Sequence, residues 1–394
     1  MIRPDVHLCL LSEQPTPNIC PLLDSRLQPD EVMLVVTPQQ ERRVDDYRDV
    51  LHSRGTRVTS LPVTDAFDAG LVEAVLEGEV TRRLAGGQKV FINATGGTKP
   101  MSIAAYMVGF GHDVPVFYVH DDTLVWLHNP GGFAPVELQE RLRLDAFLRA
   151  HGVELQAAAP AQIRPELKEL GRYLVAHADM VPAVGRLNRI AAECGDSRRL
   201  TYEMDARDVE DQAFQALLDR FAEAKVVSVK GRNLSFRDDL ERRWCNGLWL
   251  EDYVAPIVQR LKGEPGLEIQ DVTRSADVRF VGQGAQQGRL DRTDTELDCA
   301  FLAGNLLYVI ECKTRRIRAD GDFDPSDALY KLATLKREIG GSQARAMLAS
   351  YYPLRDVDRR RAAILGIEVC AGRELPDLEG RIRNWVAGAR ARNT

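Results

Sequence analysis

Over the first 150 residues, short apolar blocks alternate with longer segments of helical period. Val6–Leu11 is an apolar run that stops at the turn-rich Ser12–Glu13–Gln14–Pro15–Thr16–Pro17. Val32–Val36, Arg57–Leu61, Val90–Asn93 and Val114–His120 read as further short strands. The segments from about Gln39 to His52, Ala69 to Leu84 and Lys99 to Phe110 read as helices. Short buried strands separated by helices predict an α/β domain: a mostly parallel sheet covered on both faces.

The pattern then changes. Ala157–Ala161 (Ala-Ala-Ala-Pro-Ala) reads as a linker. From Pro165 to about Arg237 helices come first, among them Asp211–Ala224. A hairpin follows, Val226–Val229 and Leu234–Phe236 about the turn Lys230–Gly231–Arg232–Asn233. This is a winged-helix-like order, which serves either as a DNA-binding wing (Lys230, Arg232) or as a rigid connector or dimerisation module, the reading preferred here. A helix is predicted from about Leu240 to Lys262, then strands at Leu267–Val272, Asp277–Val281, Thr295–Leu302 and Leu306–Lys313, then helices at Ser326–Ile339 and Leu354–Leu365. The resulting division is 1–155, 160–239 and 240–394.

Composition narrows the chemistry. The chain has 394 residues, enough for two or three domains, and a formal net charge of −6, which argues mildly against tight duplex binding without excluding a local basic cleft. No run of about 18 apolar residues occurs, so no membrane span is expected. The seven cysteines are scattered with no C-x-x-C pair, as expected of reduced, buried thiols in a cytoplasmic protein. All seven histidines lie at or before His177. Chemistry in the C-terminal half therefore runs without imidazole, which excludes a histidine-ligated zinc site there. A metal in that half would need oxygen ligands, which favours magnesium or manganese.

Two segments carry candidate chemistry. The strand Val90–Asn93 runs into Ala94–Thr95–Gly96–Gly97–Thr98–Lys99 and a helix. Glycines allow close backbone approach, and the helix N-terminus favours an anion. Lys99 and the hydroxyls of Thr95 and Thr98 are expected to add donors. Ser12, Gln14 and Thr16 of the first strand–helix loop should share that rim. Neither G-x-x-x-x-G-K-[ST] nor G-x-G-x-x-G is present. The string N-A-T-G-G-T-K-P-M resembles the signature of CARF domains, Rossmann-like sensors of cyclic oligoadenylates in type III CRISPR immunity, and S-E-Q-P-T-P-N resembles the first ligand loop of that family.

The second segment is a hairpin, with Gly304–Asn305 as its natural turn. A two-residue loop there places Asp298 opposite Glu311 and Glu296 opposite Lys313, with Asp298, Glu311 and Lys313 on one face. Two facing carboxylates repel, and a divalent cation between them would convert that cost into affinity. Lys313 beside them can orient the attacking water. This is the D…E-x-K arrangement of PD-(D/E)xK nucleases; the plainer alternative is a surface hairpin with a Glu296–Lys313 ion pair.

The full order runs from the CARF-like signature through the winged-helix-like segment to G-L-W-L-E, E-L-D, E-C-K and Y-K-L-x-x-L with Gly340–Gly341. It resembles CARF-fused CRISPR ancillary nucleases activated by cyclic tetra-adenylate. The resemblance implies a Rossmann-like sensor and a restriction-endonuclease-like C-terminal domain. It also implies a homodimer and Mn2+- or Mg2+-dependent cleavage of DNA, RNA or both. Glu251, in the helix before the hairpin, would complete the metal site with Asp298 and Glu311. Lys331, Arg315 and Arg316 are expected substrate contacts, and Lys336 either a phosphate contact or a solvated helix position. The competing functions are a ligand-responsive DNA-binding regulator with an inactive nuclease domain, and a ring nuclease that degrades the cyclic ligand.

Overall fold

The computed structural model describes residues 3–159, 162–177, 180–281, 294–314 and 325–390. The N-terminal part contains β1 (Val6–Leu10), α1 (Thr16–Leu23), β2 (Glu31–Val36), α2 (Arg43–His52), β3 (Arg57–Pro62), α3 (Ala69–Ala85), β4 (Val90–Asn93), α4 (Lys99–Gly111), β5 (Val116–His120), β6 (Thr123–His128) and β7 (Val136–Glu137). Its sheet runs β3-β2-β1-β4-β5-β6-β7, the first five strands parallel and the last two antiparallel. Strands β1, β2 and β4 are buried at every position, which is why they read as unbroken apolar runs. The strand order reverses between β1 and β4. Ligands of open α/β sheets bind in the crevice at such a reversal, outside the carboxyl ends of the strands. Helix α1 was not predicted: Pro17 and Pro21 hide its period, although proline in the first turn costs no hydrogen bond.

Helix α5 (Leu144–Ala150) follows, then β8 (Val153–Ala158). The expected linker and the boundary at residue 155 do not hold here. Strand β8 pairs antiparallel with β12 of the last sheet, from Val153 opposite Phe280 to Ala158 opposite Ala276.

The middle segment has α6 (Pro165–Ala176), α7 (Val181–Asp196), β9 (Thr201–Glu203), α8 (Ala206–Glu210), α9 (Gln212–Glu223), β10 (Val227–Lys230) and β11 (Asn233–Phe236). A sheet of order β10-β11-β9 beside these helices is the expected winged-helix pattern. Arg232 Nε donates to the Met204 carbonyl at 2.8 Å, so this wing arginine holds the hairpin. Leu187, Phe214 and Phe221 share one apolar core with Trp244, Trp249 and Tyr351. The segment is therefore packed onto the C-terminal part.

That part comprises α10 (Asp239–Arg243), a π-helical turn (Trp244–Leu248), α11 (Trp249–Leu261), β12 (Ile269–Phe280), β13 (Asp294–Ala303), β14 (Leu306–Lys313), α12 (Pro325–Gly340), β15 (Arg345–Ser350), α13 (Asp356–Ile364), β16 (Ile367–Ala371), a 3-10 turn (Gly372–Asp377) and α14 (Leu378–Arg390). The sheet order is β16-β15-β14-β13-β12-β8. Two expectations change. The single helix over 240–262 is interrupted at Gly247, whose φ of 133° no helical residue adopts. The strands expected at 267–272 and 277–281 are one strand, β12, with Ser275 at φ 43° in its middle.

Sensor and C-terminal sheets share a second core, in which Cys9, Ile19 and Tyr47 cluster with Leu302, Val309, Leu332 and Leu348. The hairpin turn is fastened to the same junction. Asn305 Oδ1 accepts from the Leu142 N–H at 2.9 Å, and its Nδ2 donates to the Glu140 carbonyl at 3.0 Å.

Candidate functional site

The two rim loops of the sensor meet at the β1/β4 crevice. A Cβ on Gly96 would lie 2.2 Å from the Leu10 carbonyl oxygen, so only glycine lets this loop close on the end of β1. Gly97 has φ 74°. Thr98 caps α4: its hydroxyl accepts from the Met101 N–H and donates to the Ala66 carbonyl at 2.5 Å. The Thr95 hydroxyl donates to Asn93 Oδ1 and accepts from the Val119 N–H at 2.8 Å. The expectation that both hydroxyls point donors at a ligand is corrected, because both are spent on holding the loop. Lys99, at the first residue of α4, is exposed.

Two sensor residues escaped the sequence reading. Buried Asn93 donates to the Pro17 carbonyl and to Asn18 Oδ1, both at 3.0 Å, and Asn18 donates to the Leu10 carbonyl at 2.9 Å, which locks one rim loop to the other. Arg43 donates to the Ser12 and Ala150 carbonyls. The asparagine stands in the quoted motif; the arginine gave no signal. Thr16 opens α1, half-buried. The Ser12 hydroxyl donates to the Gln14 carbonyl. Gln14 reaches out of the sensor: its Nε2 lies 3.3 Å from Ser342 Oγ, and it packs so closely on Gly341 that any side chain there would overlap it. An expected ligand residue thus touches the turn after α12.

The hairpin has the predicted register. Cys299 faces Ile310 and Ala303 faces Leu306, so Asp298 and Glu311 stand opposite one another at the next position. Lys313 is ion-paired with Glu311. Asp298 Oδ2 accepts from the Cys312 N–H at 2.7 Å. Glu251, in the first turn of α11, accepts from Ser275 Oγ through Oε2 at 2.5 Å. Gly247 places this helix: a Cβ there would lie 2.3 Å from Thr314 Oγ1, so the glycine lets α11 approach the end of β14. Asn188 of α7 grips the same end, donating to the Thr314 carbonyl at 2.9 Å.

The electrostatics follow from burial and crowding. Burial pushes the Asp298 carboxyl well above the usual range, and Glu311 pushes it further, against Lys313 and the Cys312 N–H. Burial also raises Glu251, with Asp298 next in weight, against the Ser275 hydrogen bond. For Lys313, burial favours the neutral amine, but Glu311 and Asp298 outweigh it and the net shift is upward. Buried like charges of this kind gather at functional sites.

Asp298, Glu311 and Glu251 supply hard oxygen donors, a set that fits magnesium or manganese. As positioned, no three His, Cys, Asp or Glu side chains among the described residues form a preassembled metal centre. Each carboxylate instead has one oxygen turned to a protein partner: Lys313, the Cys312 N–H or the Ser275 hydroxyl. Lys331 is exposed on α12. Lys336 is half-buried, and its Nζ donates to the Leu365 and Gly366 carbonyls at 3.0 Å. Arg315 and Arg316 lie outside the described residues.

Comparison with known families finds two matched regions. Residues 6–142 match the Card1 CARF domain, and residues 238–389 match the Card1-like endonuclease domain. The chain thus carries a region similar to the Card1 CARF domain followed by a region similar to the Card1-like endonuclease domain. Among solved structures, protein VC1899 from Vibrio cholerae is 27% identical, with a TM-score of 0.86 over 98% of each chain. Can2 from Sulfobacillus thermosulfidooxidans, solved in complex with cyclic tetra-adenylate, shares the fold at 24% identity, with a TM-score of 0.75 over 97% of each chain. A type III CRISPR defence DNA nuclease activated by cyclic oligoadenylate shares it more distantly, at 19% identity and a TM-score of 0.51, over 92% of this chain and 50% of that one. No curated protein matches the sequence. Both rim loops fall within the residues matched by the CARF domain, and the Asp298 hairpin within those matched by the endonuclease domain.

Proposed function

We propose that this protein is an endonuclease of type III CRISPR defence whose CARF domain binds cyclic tetra-adenylate and whose endonuclease domain hydrolyses nucleic-acid phosphodiesters with Mn2+ or Mg2+. The observation that carries the reading is the pair Asp298 and Glu311 facing one another across the hairpin, with Lys313 ion-paired to Glu311 and with Glu251 of α11 near enough to Asp298 for its carboxyl to be raised by it. A divalent cation, when bound, polarises the phosphoryl oxygen and lowers the pKa of its water. Asp298, Glu311 and Glu251 would hold it. Lys313, kept charged by its acidic neighbours, orients the water for attack on phosphorus and stabilises the charge that builds on the phosphoryl oxygens as the P–O bond breaks. An inactive regulator would not need this set, and a ring nuclease would leave it without use.

The activator reading rests on the anion-suited start of α4 at the strand reversal and on the cyclic tetra-adenylate bound by the similar Can2. A cyclic ligand with internal symmetry is best met by the same loops twice, so the working unit is a homodimer. Helix α4 carries exposed Ile103, Met107 and Phe110, beside exposed Tyr118 and Val125, which pair across β5 and β6. A patch of this kind fits a second copy of the chain. All seven cysteines are free and buried, in keeping with a reducing cytoplasm. Among the described residues no helix is long and apolar enough to cross a membrane.

The test is incubation with labelled DNA and RNA, manganese, and each cyclic oligoadenylate in turn. Cleavage that needs both cyclic tetra-adenylate and metal is the expected result. Binding of either nucleic acid without cleavage under every condition would instead favour the regulator.

A further inference from the structure

The active face extends one strand beyond the hairpin. Strands β12 and β13 pair Arg274 with Cys299 and Ala276 with Leu297, so Ser275 stands opposite Asp298. Across three neighbouring strands the row therefore reads Ser275, Asp298, Glu311. Consecutive residues of a strand normally point to opposite faces. Here Arg274 and Ser275 both engage helix α11. Arg274 Nη1 bonds Asp252 Oδ1, and Ser275 Oγ bonds the next carboxylate along, Glu251 Oε2, each at 2.5 Å. The backbone makes this possible: Ser275 has φ 43°, in the left-handed region that a non-glycine residue enters at a cost. Without that turn its side chain would leave the face that Arg274 uses.

Helix–strand packing alone does not need this arrangement. Asp252 is already fixed by Arg274 and by Trp244 Nε1 at 3.0 Å, so the start of α11 is anchored without the serine. What Ser275 adds is the orientation of Glu251. It takes up Oε2, and the second oxygen of Glu251 has no protein partner among the described residues.

We infer that Ser275 is a positioning residue of the endonuclease site. Its left-handed backbone aims a hydroxyl at Glu251, and the hydrogen bond sets that carboxylate beside Asp298 as the third oxygen donor for a divalent cation. The inference rests on the nuclease reading above. Hydrogen bonds that orient a metal-binding side chain typically contribute 10- to 100-fold in affinity or turnover.

The test compares full-length wild type with Ser275→Gly and Ser275→Ala. Glycine removes the hydroxyl and releases the backbone; alanine removes the hydroxyl and keeps the unfavourable φ. Three readouts are taken: thermal unfolding without metal, manganese titration by calorimetry, and kcat and KM for DNA cleavage with cyclic tetra-adenylate present. The expected result is manganese affinity or kcat lower by about tenfold or more in both variants, with KM little changed. Ser275→Gly should unfold no earlier than Ser275→Ala. Wild-type manganese affinity and kcat in Ser275→Gly would overturn the assignment, as would a loss confined to alanine, which would make the residue merely a backbone feature. Wild type that binds manganese but cuts nothing would overturn the nuclease reading, and the affinity comparison would still decide the role of Ser275.

Discussion

His7 is the second residue of β1, fully buried against Phe91 and Phe117, with ring centroids 5.9 and 5.5 Å away. Neither ring nitrogen has a hydrogen-bond partner among the described residues. Burial lowers its pKa to about 3, whereas an unfolded histidine titrates near 6.5. Between those values the unfolded chain binds a proton that the folded one refuses. The neutral ring therefore costs nothing above the unfolded value, and stability drains away as the pH falls towards the folded one, by an amount on the order of a few kcal/mol. Replacing His7 with leucine is expected to flatten this acid limb, as read by urea unfolding at a series of pH values; an unchanged slope would mean that another group carries it. At the hairpin proposed to be catalytic, Glu311→Ala and Lys313→Ala should both abolish cleavage, by different routes. Asp298→Ala and Glu311→Ala should also weaken manganese binding. Lys313→Ala should leave it intact or tighter, because the ammonium competes with the cation for Glu311. Calorimetry beside a cleavage assay separates the two, and full cleavage by Glu311→Ala would sink the catalytic assignment.

At the level of single elements, the first turn of α4 shows why two neighbouring substitutions should behave differently. Thr98 caps the helix and bonds Ala66, so Thr98→Ala is expected to cost about 1 kcal/mol of stability as well as ligand response. The sequence alone predicts a weaker ligand response with folding largely intact. Lys99 is exposed, and Lys99→Ala should weaken cyclic tetra-adenylate binding with the melting temperature unchanged. Equal melting losses in both variants would contradict the cap. The strands of the sensor were legible because parallel strands are buried on both sides and leave unbroken apolar runs. Strands β15 and β16 were not predicted: Arg345–Ser350 is rich in small residues with weak strand preference, and its burial comes from neighbours far along the chain. The Asp298–Glu311–Lys313 register was legible because a Gly-Asn turn fixes it. The contributions of Ser275, Asn188 and Gly247 were not, since each depends on a backbone angle or a close approach that no local pattern encodes. The irregular φ of Ser275 even split β12 into two apparent strands.

At the scale of the whole molecule, the sensor and the endonuclease sheet are joined by a common core, by the Asn305 clasp and by the Gln14–Ser342 contact. A change at the ligand rim thus has a short mechanical path to the turn after α12. The outer face of α4 is where the proposed second copy would dock. Phe110→Glu is expected to convert a dimer into monomers in light scattering and to abolish the response to cyclic tetra-adenylate. A Phe110→Glu dimer with a normal response would place the interface elsewhere.

Strand β8 has a consequence for the protein's manufacture. It is synthesised about a hundred residues before the β12 strand it pairs with. Until then the nascent sensor exposes a row of unanswered backbone N–H and C=O groups, an invitation to foreign strands. The same holds for any fragment cut at the family boundary, where a piece beginning near residue 238 lacks β8 and presents β12 as a bare edge. Each half then carries the template that the other is missing. Expressed alone, both halves should be prone to aggregate. Made together in one cell, residues 1–159 and the remainder should find one another through that register and restore a nuclease from two chains.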